Sequence, residues 1–227
     1  MALEEMAAFF EARLDGYDEH MLTNIESAEE FYPYTAAQLP VKEGAKLLDL
    51  GCGTGLELEY YFKLNPAAEV VGIDLSAGML TALKEKFPDR VLTLIQGSYF
   101  TISLGDRYDA VVSVESLHHF TREEKLPLYK RVRDALDDGG YFVLTDYMVT
   151  DETIERELRS EYERLKTEAK LPDGAFYHFD TPLTVEHECA ILRDAGFAQV
   201  EVLKHWGNTY CMMARKQNLP LNEEISI

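Results

Sequence analysis

The sequence predicts a doubly wound α/β fold, in which a mostly parallel sheet carries helices on both faces. Three observations support this prediction. An apolar strand runs directly into a glycine-rich turn and a helix within residues 46–64. Predicted strands and helices then alternate as far as residue 146, as βαβ units do. The run at 110–114 is almost continuously apolar, which is typical of a strand buried on both faces of a parallel sheet.

Length and composition favour one domain. The chain has 227 residues, of which 46% are hydrophobic, so it can bury a sizeable core. We expect this domain to span residues 1–216 and to be followed by a frayed tail over 217–227. No apolar stretch approaches the roughly 18 residues of a membrane span. The first ten residues carry acids and no basic segment, so no signal peptide is expected.

Cysteine usage and net charge restrict the cellular compartment and the classes of binding partner that we expect. Cys52, Cys189 and Cys211 are widely spaced, which favours reduced thiols in a cytoplasm over disulfides or a zinc site. The net charge of −19 repels nucleic-acid backbones and anionic membranes, so neither is an expected partner. Basic residues within 125–133 are interpreted as one solvated helix face. The sequence leaves the oligomeric state open, a homodimer included.

Residues 1–40 are predicted to form a cap of helices. Apolar residues recur at helical spacing in 3–14, and a second helix opens near residue 17. The aromatic and proline run at 31–34 indicates a break before a third helix at 35–39. Three side chains either pack this cap onto the core or cover a ligand and help to form an acceptor pocket: Tyr17, His20 and Tyr34.

The central part of the chain alternates between strands and helices. The predicted strands are 45–50, 69–74, 91–96, 108–114 and 140–146. The predicted helices are 56–64, 77–87 and 121–136, with a short turn near residue 100. Asp138, Gly139 and Gly140 indicate a helix stop and a turn before the fifth strand.

The remainder is predicted to hold a helical insert and a closing hairpin. Apolar residues step by three or four through 151–170, which indicates an amphipathic helix, and a loop then completes an insert or lid over 151–182. A helix at 184–195 follows. Strands at 199–205 and 209–215 are joined by a short turn as a hairpin.

The glycine turn at Gly51, Gly53 and Gly55 is a nucleotide-type site. Glycines permit a tight turn and a close approach of backbone to ligand, and the following helix N-terminus attracts anions. Neither register of these glycines fits G-x-G-x-x-G, and the Lys-Ser/Thr ending of a P-loop is missing. The pattern is instead D-x-G-x-G-x-G, starting at Asp49.

Asp74 ends the second strand and is a candidate for binding both hydroxyls of a ribose. Its alternative role is to cap the next helix, but Ser76 is better placed to do so. Leu75 and Met79 would then flank an adenine. At the end of the third strand, Tyr99 either stacks near the base or packs in the core.

The end of the fourth strand carries the catalytic candidates. Backbone carbonyls at Val114 or Glu115 are candidates for holding an ammonium group. Of His118 and His119, at most one is expected to be a general base, and we favour His118, since a neutral imidazole suits proton removal near pH 7. Helix packing is the alternative for either ring. No metal site is expected, because the histidines lack a ligand spacing such as H-E-x-x-H.

With these strand ends, the sequence resembles the class I S-adenosylmethionine-dependent methyltransferases over residues 40–150 and 184–216. The resemblance implies a seven-stranded sheet of order 3-2-1-4-5-7-6 with the last strand antiparallel, S-adenosylmethionine as cofactor and S-adenosylhomocysteine as product. It implies cofactor contacts from Asp49, Gly51, Cys52, Gly53, Asp74, Leu75, Met79, Gly97, Ser98, Tyr99 and Glu115. Ser98 departs from the family, where an acidic residue commonly accepts from the adenine amino group.

The expected reaction is in-line displacement of a methyl group by a small-molecule acceptor, which depends mainly on alignment and needs a base only for a protonated nucleophile. Tyr147 and His178 lie where an acceptor lid is expected. Two alternatives stay open: a tRNA-modifying enzyme of the same fold, and a cofactor-binding module without transfer activity. An NAD-dependent oxidoreductase is disfavoured by the glycine spacing.

Overall fold

The computed structural model describes residues 3–172 and 174–218. Its centre is a seven-stranded sheet of order β3-β2-β1-β4-β5-β7-β6. β7 pairs antiparallel with both β5 and β6, whereas the pairs among β1 to β5 are parallel. The predicted fold class, strand order and antiparallel last strand are therefore confirmed.

The strands are β1 Lys46–Leu50, β2 Glu69–Asp74, β3 Val91–Gln96, β4 Tyr108–Val114, β5 Leu136–Tyr147, β6 Gln199–Trp206 and β7 Thr209–Arg215. The helices are α1 Met6–Glu11, α2 Tyr17–Asn24, α3 Ala28–Ala37, α4 Leu56–Leu64, α5 Ala77–Lys86, α6 Arg122–Ala135, α7 Glu152–Ala169 and α8 Val185–Asp194. A 3₁₀ turn covers Leu117–His119. Residues 219–227 of the predicted tail lie outside the described residues.

The core has two layers because neighbouring residues of a strand point to opposite faces. Leu47 and Val112 belong to the cluster that packs against α3 and α4. Leu48 and Val111 belong to the other cluster, which includes side chains of α6 and α8. The parallel strands are thus buried on both faces, and their carboxyl ends meet at one edge of the sheet, beside the N-terminal helices.

The third helix of the cap was predicted wrongly. It begins at Ala28, and the segment 31–34, which we expected to be a break before it, lies inside it, including Pro33. The proline ring removes the N–H that would bond to the carbonyl of Glu29, but Glu29 is exposed, so water can solvate that carbonyl. Burial of Phe31 and Thr35, both 0% exposed, outweighs the lost hydrogen bond.

The start of the fifth strand also differs from the prediction. β5 begins at Leu136, so the expected stop and turn at residues 138–140 lie within the strand. The register with β4 shifts between Tyr108 and Ala110, and Gly139 has φ of 81°. The glycines therefore form a bulge, which lets the strand start earlier and still align with β4.

The basic residues of α6 do not form one solvated face, as the sequence suggested. Lys125 is 2% exposed, and its Nζ lies 2.7 Å from Oε2 of Glu188 on α8. Arg131 donates to the carbonyls of Tyr99 and Phe100, at 2.8 and 2.7 Å. Lys130 does remain exposed. Most of these basic side chains thus bind other elements of the fold instead of facing solvent.

The predicted insert is a long, charged helix. Tyr162 is the buried residue of α7, and its ring stacks on Phe179 at 5.5 Å between centroids. The loop after α7 returns to the sheet edge, where the N–H of Thr181 donates to the carbonyl of His118 at 2.8 Å. Within residues 3–172 and 174–218, no helix combines the length and the apolar character needed to cross a membrane.

Candidate active site

The glycine turn after β1 requires glycine at its first position. Gly51 has φ of 74°, and a Cβ there would lie 2.1 Å from Oγ of Ser116. The N–H groups of Gly51 and Cys52 both donate to the carbonyl of Ile73, at 2.8 and 3.2 Å. The turn is therefore held tightly against the end of β2 and presents backbone, rather than side chains, to the adjoining space.

Asp74 is oriented by the turn that it faces. Its Oδ2 accepts from the N–H of Gly53 at 2.9 Å, and its Oδ1 accepts from the N–H of Ser76 at 2.8 Å. Ser76 caps α5, since its Oγ accepts from the N–H of Met79 at 3.0 Å, as the sequence indicated. Burial raises the pKa of Asp74, while the hydrogen bonds from Ser76 and Gly53 oppose that shift. Ribose binding by Asp74 stays a prediction.

A small cavity of about 50 Å³ lies over this turn, and the cap helices close it. Residues of the turn, of α1 and of the end of β4 line it: Met6, Phe10, Tyr17, Gly51, Gly53, Asp74, Met79, Val114, Glu115, Ser116 and His119. Glu11 ties α1 down, because its Oε2 accepts from Oγ of Ser76 at 2.6 Å and from the N–H of Gly78 at 3.1 Å.

Three other predicted cofactor residues are not among those that line this cavity: Cys52, Ser98 and Tyr99. Cys52 is 3% exposed and points its sulfur towards Gly72. Tyr99 is buried, and its hydroxyl lies 3.1 Å from Oγ of Ser116. Ser98 Oγ accepts from the N–H of Phe100 at 3.2 Å. Side-chain contact of these three residues with a cofactor stays a prediction.

Two buried carboxyl groups lie beneath the turn. Asp49 is 1% exposed, and Glu57 on α4 is 4% exposed. Burial, with the nearby charge of Glu57, raises the pKa of Asp49 well above its usual range. Oδ2 of Asp49 has no hydrogen-bond partner among the described residues. Oε1 of Glu57 likewise has no other partner among the described residues, and the two carboxyl groups lie against each other. Glu57 was missed because nothing in its local sequence marks it as buried.

A larger cavity of about 680 Å³ adjoins the small one. It lies between the first two helices, the 3₁₀ turn and the loop after α7. Its lining residues are Phe9, Phe10, Ala12, Arg13, Asp15, Gly16, Tyr17, His20, Met21, Ile25, Glu115, His118, His119, His178 and Asp180. Of the predicted acceptor-pocket residues, the lining includes Tyr17, His20 and His178.

Tyr34 and Tyr147 are placed differently from the other predicted pocket residues. The ring of Tyr34 packs edge-to-face on Trp206, with centroids 5.2 Å apart. The ring of Tyr147 lies 6.0 Å from that of His118. Neither belongs to the described residues that line the larger cavity. Sequence reasoning instead missed Asp180, which reaches the cavity from a distant loop.

His118 forms a buried pair with Asp146 at the end of β5. Its Nδ1 lies 2.5 Å from Oδ1 of Asp146. Burial alone would lower the pKa of His118, but the charge and hydrogen bond of Asp146 outweigh it and raise that pKa to about 9. Burial and the neighbouring His118 lower the pKa of His119 to about 4. Near pH 7, His118 is therefore charged and His119 neutral.

Glu115 stands between the two cavities and lines both. Its Oε1 lies 3.4 Å from Oγ1 of Thr209, which donates to it. Burial raises the pKa of Glu115 to about 8, although the charge of His118 acts in the opposite direction. A cation bound at this boundary would favour the ionised form of Glu115.

The fold and the turn are similar to those of the class I S-adenosylmethionine-dependent methyltransferases, a class whose cofactor is S-adenosylmethionine. Residues 47–140 match the family model described as "Methyltransferase domain". The residues present fit this cationic cofactor, since the carboxyl groups of Asp74 and Glu115 line the cavity over the turn.

Individual relatives differ in their activities. The chain is 30% identical over 179 residues to sterol 24-C-methyltransferase ERG6B of Gibberella zeae, covering 76% of this chain and 43% of that protein. It is 26% identical over 193 residues to carboxy-S-adenosyl-L-methionine synthase of Campylobacter curvus, covering 78% and 79%. Human N-acetylserotonin methyltransferase, solved with S-adenosylmethionine, matches with a TM-score of 0.62 at 17% identity, covering 92% and 55%. The chain thus spans less than half of the sterol methyltransferase.

Proposed function

We propose that the chain transfers a methyl group from S-adenosylmethionine to a small-molecule acceptor held in the larger cavity. One observation carries this proposal: the cavity over the glycine turn and the larger cavity share Phe10, Tyr17, Glu115 and His119 as wall residues. A cofactor bound over the turn would therefore reach the boundary with the acceptor space.

When bound, the cofactor supplies a methyl group that its positive sulfur already activates for displacement. The chain's own residues hold the reactants in line and exclude water. Glu115 places a carboxyl group beside the expected positive charge. His118, predicted as the base, is charged near pH 7 in this structure, so it can act as a base only after it loses its proton.

Cofactor entry requires the cap to move. The cavity over the turn, at about 50 Å³, is smaller than the roughly 300 Å³ of the smallest ligand pockets. Met6, Phe10 and Tyr17 close it from the side of the first two helices. We therefore propose that α1 lifts from α5, with loss of the Glu11 contacts to Ser76, as the cofactor binds.

The acceptor cavity suits a small molecule. Its volume of about 680 Å³ lies within the roughly 300–1,000 Å³ of small-ligand sites. Phe9, Phe10, Met21 and Ile25 give it an apolar side. A nucleic-acid acceptor is disfavoured by the net charge of −19. The cytoplasm is the proposed compartment, supported by three free cysteine thiols.

The test combines binding and turnover. Calorimetry with S-adenosylmethionine should show one site, and incubation with a panel of small hydroxyl, amine and carbon acceptors should release S-adenosylhomocysteine with at least one of them. Asp74→Asn should weaken cofactor binding, whereas Asp89→Asn, at an exposed aspartate, should not. Cofactor binding without turnover on any acceptor would favour the cofactor-binding module. If Asp74→Asn bound S-adenosylmethionine with unchanged affinity, the proposed cofactor site would be refuted.

A further inference from the structure

Four ionisable side chains meet on one wall of the larger cavity. His118 and His119 come from the 3₁₀ turn, while His178 and Asp180 come from the loop after α7. Nε2 of His118 lies 3.6 Å from Oδ1 of Asp180, and Nδ1 of His119 lies 3.0 Å from the same oxygen. The rings of His119 and His178 are 4.8 Å apart.

These separations match those between ligands of one metal ion. Zinc–nitrogen and zinc–oxygen bonds are about 2.0–2.2 Å long, so neighbouring ligand atoms lie about 3.0–3.5 Å apart in octahedral or tetrahedral geometry. The ligand atoms of His118, His119 and Asp180 all lie within 4.8 Å of one another. A small closing movement of these side chains would bring all three onto one ion.

His119 provides a second, independent indication. Its side chain is 5% exposed, yet Nδ1 has no hydrogen-bond partner in the part of the chain that the structure describes. Oδ1 of Asp180 lies close to Nδ1, but not along a hydrogen-bonding direction. A buried polar atom without a well-aligned hydrogen bond is destabilising, so a ligand bound to this nitrogen would be favourable.

Asp146 holds His118 from the side of the ring opposite Asp180. Its Oδ1 lies 2.5 Å from Nδ1 of His118, which leaves Nε2 directed towards Asp180. A carboxylate on the far nitrogen is the usual partner of a metal-binding histidine, because it fixes the ring and raises its basicity. Backbone contacts also fix the loop: the N–H of Thr181 bonds to the carbonyl of His118 at 2.8 Å.

We propose that His118, His119 and Asp180 bind a divalent first-row transition-metal ion whose remaining positions face the acceptor cavity. Two histidines and one carboxylate are the ligand set of open metal sites in enzymes. The side chain of Asp180 is 49% exposed on the cavity side, so the ion stays accessible to a ligand. Local sequence patterns do not indicate this site, because Asp180 is distant along the chain from the two histidines.

The metal site also indicates a class of methyl acceptor. This part of the inference rests on the proposed function. An oxygen of a hydroxyl-bearing acceptor would take an open position on the ion. The ion would lower the pKa of that hydroxyl, whose proton leaves to solvent, and would so provide an oxygen nucleophile near neutral pH. The ion would displace the proton of His118 Nε2 to solvent as it binds there, and His118 would then orient the acceptor instead of removing its proton.

The experiment measures metal binding without activity. Full-length protein stripped with a chelator is titrated with Co²⁺ and Zn²⁺, by visible absorption and by calorimetry. We expect one ion per chain and Co²⁺ absorption bands that Zn²⁺ displaces. His119→Ala and Asp180→Asn should each weaken binding by at least about 100-fold, and Asp146→Asn by about 10- to 100-fold, as for outer-shell partners. His187→Ala, whose ring lies against Glu155, is the matched control and should bind normally.

Thermal denaturation of each variant without metal checks that folding is retained. Stoichiometric binding that survives in both His119→Ala and Asp180→Asn would overturn the site, as would the lack of binding in the parent protein. Calorimetry with S-adenosylmethionine separates the two proposals. Cofactor binding without metal binding refutes the metal site alone, whereas metal binding without cofactor binding refutes the proposed function.

Discussion

Substitution of Glu115 by glutamine should stabilise the protein without ligand and weaken cofactor binding. The pKa of this carboxyl is raised from 4.5 to about 8, chiefly by burial. Between these values the folded state holds a proton that the unfolded chain releases, so folding stability falls as pH rises. A glutamine is neutral throughout and avoids this loss.

The magnitude follows from the pKa shift. At pH 7 the unfolded carboxyl is 2.5 units above its pKa of 4.5, while the folded carboxyl is still mostly protonated. At 1.36 kcal/mol per unit, Glu115→Gln should raise the free energy of unfolding by roughly 3 kcal/mol at pH 7. At pH 5 the same arithmetic gives about 1 kcal/mol, because the unfolded carboxyl is then only partly ionised.

Urea denaturation of both proteins at pH 5 and pH 7, with a chelator and without cofactor, measures this difference. Glu43→Gln, at an exposed position, serves as the control and should change little at either pH. An advantage of Glu115→Gln that is the same at both pH values would refute the reasoning, since a packing effect alone does not vary with pH. With saturating S-adenosylmethionine, the advantage should shrink, because the cationic cofactor favours the carboxylate.

Three further predictions concern the fold and the turn. Lys125→Met should lower the free energy of unfolding by about 3–5 kcal/mol, because it leaves the buried Glu188 without its cation, and the double variant with Glu188→Leu should recover much of that loss on urea denaturation. Gly51→Ala should cost about 2–5 kcal/mol from the positive φ and the contact with Ser116, and calorimetry should show weaker cofactor binding. Thr121→Ala removes the capping box of α6, so its thermal midpoint should fall by the equivalent of about 1 kcal/mol.

Much of the fold could be predicted because its signals are local. Apolar runs fix the strands, and the bounds of β2, β3, β4, β7 and α4 match the predictions. Pro33 shows the limit of such signals. From the sequence alone it predicts a break in the helix, but burial of the neighbouring Phe31 keeps the helix intact. Lys125 likewise looks like a surface charge until α8 brings Glu188 against it.

The site residues likewise include some that local sequence patterns predict and others that only the fold brings together. Gly51, Gly53 and Asp74 lie within one unit of strand, turn, helix and strand, so their meeting could be predicted, and all three line the cavity over the turn. Asp180 joins His118 and His119 only through the path of the loop after α7, which no periodicity encodes. The charge state of His118 depends on Asp146 of another strand, and it was therefore also beyond local sequence reasoning.

We propose that the space over the glycine turn binds S-adenosylmethionine through Asp74. Calorimetric titration of the full chain, compared with Asp74→Asn, tests it most directly. We predict binding of one cofactor per chain and an affinity at least about 10-fold weaker in Asp74→Asn, equivalent to about 1.4 kcal/mol for a lost charge-assisted hydrogen bond. No binding by the parent protein, or equal affinity in the two proteins, would contradict the claim.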